Sequence, residues 1–465
     1  MLPGRVAELL GPWMGAGPTY LAVADGLRGL ALDGRLPLGA RVPSERALAD
    51  ALSLSRTTVS AAYDVLRAEG YLRSDRGAGS RVALPAAVPV RPDAGPGDRP
   101  DVLDLTVAAL PAPALILDAV QAAGWALRPL IAGHGLHPLG IPEMRAAVAD
   151  HLSARGLPTT AEQVLVTAGA LQGWDLVLRA LVGARRRVLV EQPTYPAVLD
   201  AVAAHRLPTV ALPVSARGWE LPAPASVGLV HVTPDGQNPT GLLASTAQRE
   251  ELIRAVDGAV IAVDETFTDL VLDGPTPPPL GALDPRVVTL GSMSKAFWAG
   301  LRVGWVRADP EVLARLAQAR AGQDLASPVL EQLVAAWLLR RADDILPERR
   351  ALLRRSRDAL LQALARELPT WRCSRPDAGM VLWVELPQPG ATRLAAHALD
   401  AGLRLTPGPR FTVDGTADRW FRLPFTLPLE RVSDVVCMLR EAAARTAAGR
   451  EAPLSPSRSP SRWTA

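Results

Sequence analysis

The sequence predicts an α/β protein in which a largely parallel sheet with covering helices follows a small helical head. Three features point to this. Residues 102–447 alternate short aliphatic runs with helical segments, the pattern of strands joined by crossover helices. Residues 1–84 hold short amphipathic helical patterns that end in a glycine-rich stretch. Between them, residues 85–101 (PAAVPVRPDAGPGDRPD) are rich in Pro, Gly and Asp and read as a flexible linker.

The composition narrows the class. With 465 residues, 48% hydrophobic and 21% charged, the chain can bury sizeable cores and is not a disordered polymer. Two cysteines, Cys373 and Cys437, cannot form a disulfide scaffold and argue for a reducing compartment. No uncharged apolar run reaches the roughly 18 residues a membrane helix needs, so no membrane partner is expected. The first 25 residues carry Glu8 and no basic stretch leading into a clean apolar run, which argues against a secretory leader. Cytoplasm is the expected compartment. A net charge of +3 announces no polyanion by itself. Residues 448–465 (AGREAPLSPSRSPSRWTA) read as a low-complexity, disordered tail.

In the head, Ser44 caps a helix beginning at Glu45-Arg46, and Ser53-Leu54-Ser55 breaks the chain before a second helix from Arg56 to Leu66. Val59, Ala62, Tyr63 and Leu66 share one apolar face, which turns Arg56, Thr57, Thr58 and Ser60 outward at the N-terminal end. That is the plan of a helix-turn-helix, whose second helix enters the major groove by its first turn. Tyr71-Leu72-Arg73 and Gly79–Val82 then flank a glycine-containing turn, a hairpin wing able to touch phosphates. The run RVPSERALADALSLSRTTVSAAYDVLRAEGYL…GAGSRV closely resembles the GntR-type winged helix over about 65 residues. The resemblance implies double-stranded DNA as a partner. It places Arg41, Glu45, Arg46, Arg56, Thr57, Thr58 and Gly79 on the DNA side. Arg41, Arg46 and Arg56 suit phosphates or guanine edges.

The second module is marked by its basic residues. Of the 50 cationic residues in the chain, one is lysine, Lys295. Arginine serves wherever only positive charge is wanted, but it keeps its proton and cannot attack a carbonyl as a neutral amine. A lone lysine among arginines is therefore a candidate imine-forming residue. Its neighbours fit. Ser292 and Ser294 offer hydroxyls, and Arg302 offers a fork for a phosphate dianion.

Pyridoxal phosphate needs such a lysine, an acid opposite its ring nitrogen, a stacking face and a phosphate cradle. Asp264 ends the aliphatic run VIAV, at the carboxyl end of a strand, where α/β sites collect. Asn238, in NPTG, can donate to the ring's phenolic oxygen, although NPTG alone is an ordinary turn. Gly169 and Ala170, in TAGAL, lead from a strand into a helix whose N–H groups and dipole suit phosphate. Tyr195, the only tyrosine after Tyr71, can stack on the ring or fill a core.

The order of GIPEMR, TAGALQ, EQPTYP, NPTG, DET, SMSK and GLR resembles the fold-type I aminotransferases of class I/II across nearly all of residues 102–447. Behind a GntR-type head, the whole chain resembles a MocR-type regulator. The resemblance implies a large, mostly parallel-sheet subdomain with a small C-terminal α+β subdomain, and pyridoxal 5'-phosphate as cofactor. It implies Lys295 for the aldimine, Asp264 for the ring nitrogen, Asn238 for the phenolic oxygen and Tyr195 for stacking. It gives Ser292, Ser294 and Arg302 to the phosphate. It also implies that Arg422 holds a substrate or effector α-carboxylate, with Arg419 as the nearby competitor, and that the site lies in a homodimer. No metal is implied. Three positions depart from the family: Thr266 replaces a tyrosine, GHGLHPLG before Gly140 lacks another, and Leu171 replaces a glutamine-like donor.

The expected function is a transcription regulator that senses an amino compound or the cofactor itself. Two alternatives stand beside it: a working aminotransferase with a vestigial head, and a plain DNA-binding protein whose second module only dimerises.

Overall fold

The computed structural model describes residues 2–11, 18–32, 35–36, 40–75, 79–82, 102–182, 187–215, 217–220, 227–256 and 258–448. The linker at 85–101, the wing turn at 76–78 and the tail beyond 448 lie outside them.

The head is built from helices Pro3–Leu10, Thr19–Leu32, Glu45–Leu52 and Arg56–Ala68 and an antiparallel hairpin, Leu72–Asp75 with Gly79–Val82. Ser44 and Ser55 cap the third and fourth helices, accepting from the N–H of Ala47 at 3.2 Å and of Thr58 at 3.1 Å. Val59, Ala62, Tyr63 and Leu66 are all buried, as their helical spacing requires. They join Val23, Leu27, Leu48, Leu72 and Val82 in a core of their own. Each such aliphatic side chain contributes about 1.5–3 kcal/mol on burial. Pairing in the wing extends to Asp75, beyond the Arg73 limit expected from the sequence.

The larger module centres on eight strands in the order Val164–Thr167, Gly304–Arg307, Val287–Ser292, Val260–Asp264, Leu229–Val232, Val188–Gln192, Thr209–Ser215, Gly218–Trp219. Pairing is parallel from Val287–Ser292 through Thr209–Ser215, and Gly304–Arg307 runs antiparallel between its neighbours. The aliphatic runs Gln163–Thr167, Arg187–Val190, Gly228–Val232, Val260–Val263 and Val287–Leu290 supply five of these strands. Alternate residues face opposite layers. Val188 and Val190 pack with Trp174, Leu176 and Leu316, and Leu189 packs with Leu212, Leu252 and Val263. The helix expected from Gly140 starts at Pro142, because Gly140 has φ +99° and Ile141 is extended.

A second, antiparallel sheet orders Arg372–Cys373, Val381–Glu385, Trp420–Pro424 and Thr406–Pro407. Helices Ala342–Glu367, Ala391–Asp400 and Val432–Ala448 pack around it, forming the smaller α+β part. Strand Leu103–Asp104 crosses to pair with Leu403–Arg404 and ties the start of the module to this part. The head touches the same part: Arg35 Nη2 donates to the carbonyl of Asp414 at 3.4 Å.

Candidate functional site

The carboxyl ends of the parallel strands carry the residues singled out in the sequence. Asp264 is the last residue of its strand, and its Oδ1 accepts from the Thr266 N–H at 2.9 Å. The next strand, Val287–Ser292, runs into a single π-helical turn, Ser294–Trp298, which presents Lys295. Such turns break the usual ladder and re-aim a side chain. Lys295 Nζ donates to the carbonyl of Ala108 at 2.7 Å. Burial, and then the Arg422 and Arg302 charges, push its ammonium down to about 8, against an opposing pull from Asp264. The lone lysine is thus a ready nucleophile.

Gly169 opens helix Ala170–Leu181 with φ +115°, a conformation that favours glycine. A Cβ there would lie 3.3 Å from Arg302 Nη2. Arg302 also donates to the Ala168 carbonyl at 3.0 Å and to Ser294 Oγ at 3.4 Å, and Ser292 Oγ donates to Ser294 Oγ at 3.0 Å. One guanidinium, two hydroxyls and a helix N-terminus therefore converge, a cup shaped for a dianion. Leu171 is exposed beside it and offers no donor.

On the other side, buried Arg422 stands on strand Trp420–Pro424. Its Nη1 lies 3.4 Å from Asn238 Oδ1, its Nη2 donates to the carbonyl of Thr106, and its guanidinium lies 5.2 Å from the Phe411 ring centroid. Its Nε is buried without a partner. Burial lowers its pKa to about 10, with Tyr195 and Asp104 opposing. A buried guanidinium with one donor left open can accept an anion there. Arg419 is exposed and donates to the Pro387 carbonyl, which removes it from the site. Tyr195, part-exposed, precedes helix Pro196–Ala204 and adds its hydroxyl near Arg422.

Sequence reasoning missed three groups. The carbonyls of Thr106 and Ala108 carry no side-chain signal. Glu191 is fully buried, bonded to Trp219 at 2.7 Å and Gln237 at 3.2 Å, and burial raises it to about 8. His231 pairs in register with Ala262, so it shares a sheet face with Asp264. Burial lowers its pKa to about 4, and its Nδ1 has no partner.

In the head, Arg56, Thr57, Arg41 and Arg46 are exposed, and Thr58 is half-buried with its hydroxyl 2.7 Å from Ser55 Oγ. Gly79 has φ +79°, and a Cβ there would meet Arg41 Nε at 2.9 Å. Glu45 pairs with Arg67 at 3.1 Å and lies 3.9 Å from Arg56. Arg67 also reaches Ser74 at 3.0 Å and Ser80 at 3.4 Å, which ties both helices to the wing.

Residues 19–82 match the family Bacterial regulatory proteins, gntR family, and residues 132–437 match Aminotransferase class I and II. A 2-aminoadipate transaminase of Thermus thermophilus is 33% identical over 65% of this chain and 79% of its own. The crystal structure of LysN, the α-aminoadipate aminotransferase of that organism in complex with N-(5'-phosphopyridoxyl)-L-leucine, superposes with a TM-score of 0.69 at 30% identity. It covers 75% of this chain and 93% of LysN. The HTH-type pyridoxine biosynthesis transcriptional regulator PdxR of Corynebacterium glutamicum is 31% identical over 82% of this chain and 87% of its own, spanning both modules. The chain belongs to the MocR-type regulators. Its head is a GntR-type DNA-binding domain, and its second module is an aminotransferase-like fold with pyridoxal phosphate as cofactor. The residues of this MocR-type chain fit that cofactor: a buried amine, a dianion cup and a strand-end carboxylate surround one site. No helix among the described residues is long and apolar enough to cross a membrane.

Proposed function

We propose that this MocR-type regulator carries pyridoxal phosphate on Lys295 and changes its grip on operator DNA when an amino compound, or the cofactor itself, engages that site. The observation that carries the reading is the chain's single lysine, buried beside the dianion cup with its pKa held near 8. Bound there, pyridoxal phosphate supplies an aldehyde open to amines and an electron-withdrawing ring.

The chain's residues divide the work. Lys295 would provide the neutral amine that holds the aldehyde and could take up a nearby proton. Asp264 would hold the ring nitrogen and favour its protonated form. Asn238 would support the phenolic oxygen, Tyr195 would cover the ring, and Gly169, Ala170, Ser292, Ser294 and Arg302 would hold the phosphate. Arg422 takes a carboxylate. In the head, Arg41, Arg46, Arg56, Thr57, Thr58 and Gly79 meet the duplex, and Glu45 orients Arg56 through its place beside Arg67. Residues 1–84 and 102–447 form the two working modules.

A homodimer in the cytoplasm completes the reading. Leu117, Val120, Trp125, Ile131, Leu136 and Leu325 are large apolar side chains left exposed. A two-fold partner would cover them and present two heads to two half-sites.

The 2-aminoadipate transaminase relative favours a second reading, in which some transamination survives. The PdxR relative, a pyridoxine biosynthesis regulator, favours sensing of the vitamer. Borohydride reduction with pyridoxal phosphate, followed by peptide mass analysis, tests the proposal. A phosphopyridoxyl mass on the peptide containing Lys295 supports it, and an unmodified peptide at saturation refutes it.

A further inference from the structure

Both key cations of the site are held by one short piece of chain. Lys295 Nζ donates to the Ala108 carbonyl at 2.7 Å, and Arg422 Nη2 donates to the Thr106 carbonyl. One residue, Val107, separates these acceptors, so a single strap of chain spans the site. Leu105, Ala108 and Leu110 are buried, whereas Val107 is 44% exposed.

The strap is anchored at both ends, at its start by a carboxylate whose charge also reaches Arg422. At its start, Asp104 Oδ1 accepts from the N–H of Thr106 at 2.8 Å and its hydroxyl at 2.6 Å. Asp104 Oδ2 pairs with Arg404 at 3.4 Å, and the Leu105 N–H donates to the Arg404 carbonyl at 2.9 Å. At its end, the Pro111 carbonyl accepts from Arg349 Nη2 at 2.8 Å. The strap follows directly on the residues that join the head to the larger module.

We propose that residues 104–111 are the element through which ligand binding reaches the head, because the groups that capture ligand are the same groups that hold the strap in place. This rests on the reading that Lys295 captures an aldehyde and Arg422 a carboxylate. Capture of an aldehyde by the neutral amine forms a C=N bond and releases water, and both hydrogens of the amine leave in that water. Lys295 then has no hydrogen left to donate to Ala108. A carboxylate forked across the two Nη atoms of Arg422 competes with the Thr106 carbonyl for Nη2, whereas one seated on the unpartnered Nε leaves that bond in place. Ligand and strap therefore compete at two points 2 residues apart, and the segment this releases is the continuation of the chain that comes from the head. Linkage makes the effect reciprocal: a strap already loosened should favour capture by as much as capture loosens it.

The test is hydrogen exchange on the full chain with pyridoxal phosphate as the probe, alongside the visible absorbance of capture. In the wild type, amides of residues 105–110 should exchange about tenfold faster after loading. Asp104→Ala, which removes one anchor, should exchange fast without vitamer and bind pyridoxal phosphate about fivefold more tightly. The wild type should change its affinity for a duplex of its own upstream DNA at least about fivefold on loading, and Asp104→Ala less than about twofold. Unchanged exchange at 105–110 while the absorbance band forms overturns the strap, and so does wild-type coupling in Asp104→Ala. Absence of the band in the wild type is a different failure: it removes the reading of Lys295 on which the strap depends.

Discussion

Arg422 and Asn238 meet across the boundary between the two sheets. Arg422 rises from the small antiparallel sheet, Asn238 follows a strand of the large one, and Nη1 lies 3.4 Å from Oδ1. A ligand bound to both would therefore fasten one subdomain to the other. Replacing Arg422 by Met should still permit capture of pyridoxal phosphate, with the Lys295 pKa raised by loss of the Arg422 charge. Affinity for amino acids bearing an α-carboxylate should fall about 10- to 100-fold, the value of a charge-assisted pair. Spectral titration with a panel of amino acids and their decarboxylated amines separates the two effects.

Lys295 sets a pH dependence. At pH 7 about a tenth of a group with a pKa near 8 is neutral, roughly 300-fold more than for an ordinary lysine at 10.5. The capture rate should rise with pH and level off above about 8. The unfolded chain holds this proton up to about 10.5, so its contribution to stability grows as pH rises from about 8 to that value. Stopped-flow absorbance across pH 6–10 checks the rate. A midpoint near 10 would mean that the side chain is solvated.

The dianion cup discriminates by phosphate. Arg302→Gln removes the guanidinium bonded to Ala168 and Ser294. Affinity for pyridoxal phosphate should fall about 10- to 100-fold. Affinity for pyridoxal, which lacks the phosphate, should change less than about threefold. Equal losses for both would show that Arg302 only supports the fold.

Two head arginines should behave differently on DNA. Arg56 is exposed at the start of the recognition helix, so Arg56→Ala should lower the salt slope of operator binding by about 0.9 per head if it meets a phosphate. Arg67 instead ties Glu45 to Ser74 and Ser80. Arg67→Ala should weaken binding about fivefold or more, through misplacement of the wing, with little change in salt slope. Fluorescence anisotropy at several salt concentrations distinguishes them.

The exposed Trp125, 61% accessible on helix Ile116–Leu127, marks the surface assigned to the partner copy. Trp125→Asp should shift sedimentation from dimer to monomer at micromolar concentration and weaken operator binding through loss of the second head. A wild-type chain that sediments as a monomer would remove this part of the reading.

The sequence by itself determined the order of modules and five of the strands, and it singled out the lone lysine. Those features are local. Aliphatic runs, serine caps and a lysine among arginines act through their own neighbours and need no partner distant in the chain. The same holds for Asp264, whose place at a strand end follows from the run before it.

Only the tertiary structure decided between Arg422 and Arg419, because both lie on one short stretch and differ only in which side faces Asn238. It alone brought Arg302 to the Ala168 carbonyl and the Ala108 carbonyl to Lys295, contacts spanning 134 and 187 residues. Backbone carbonyls look alike in any sequence. Their role appears only when burial and sheet register place one opposite a charge.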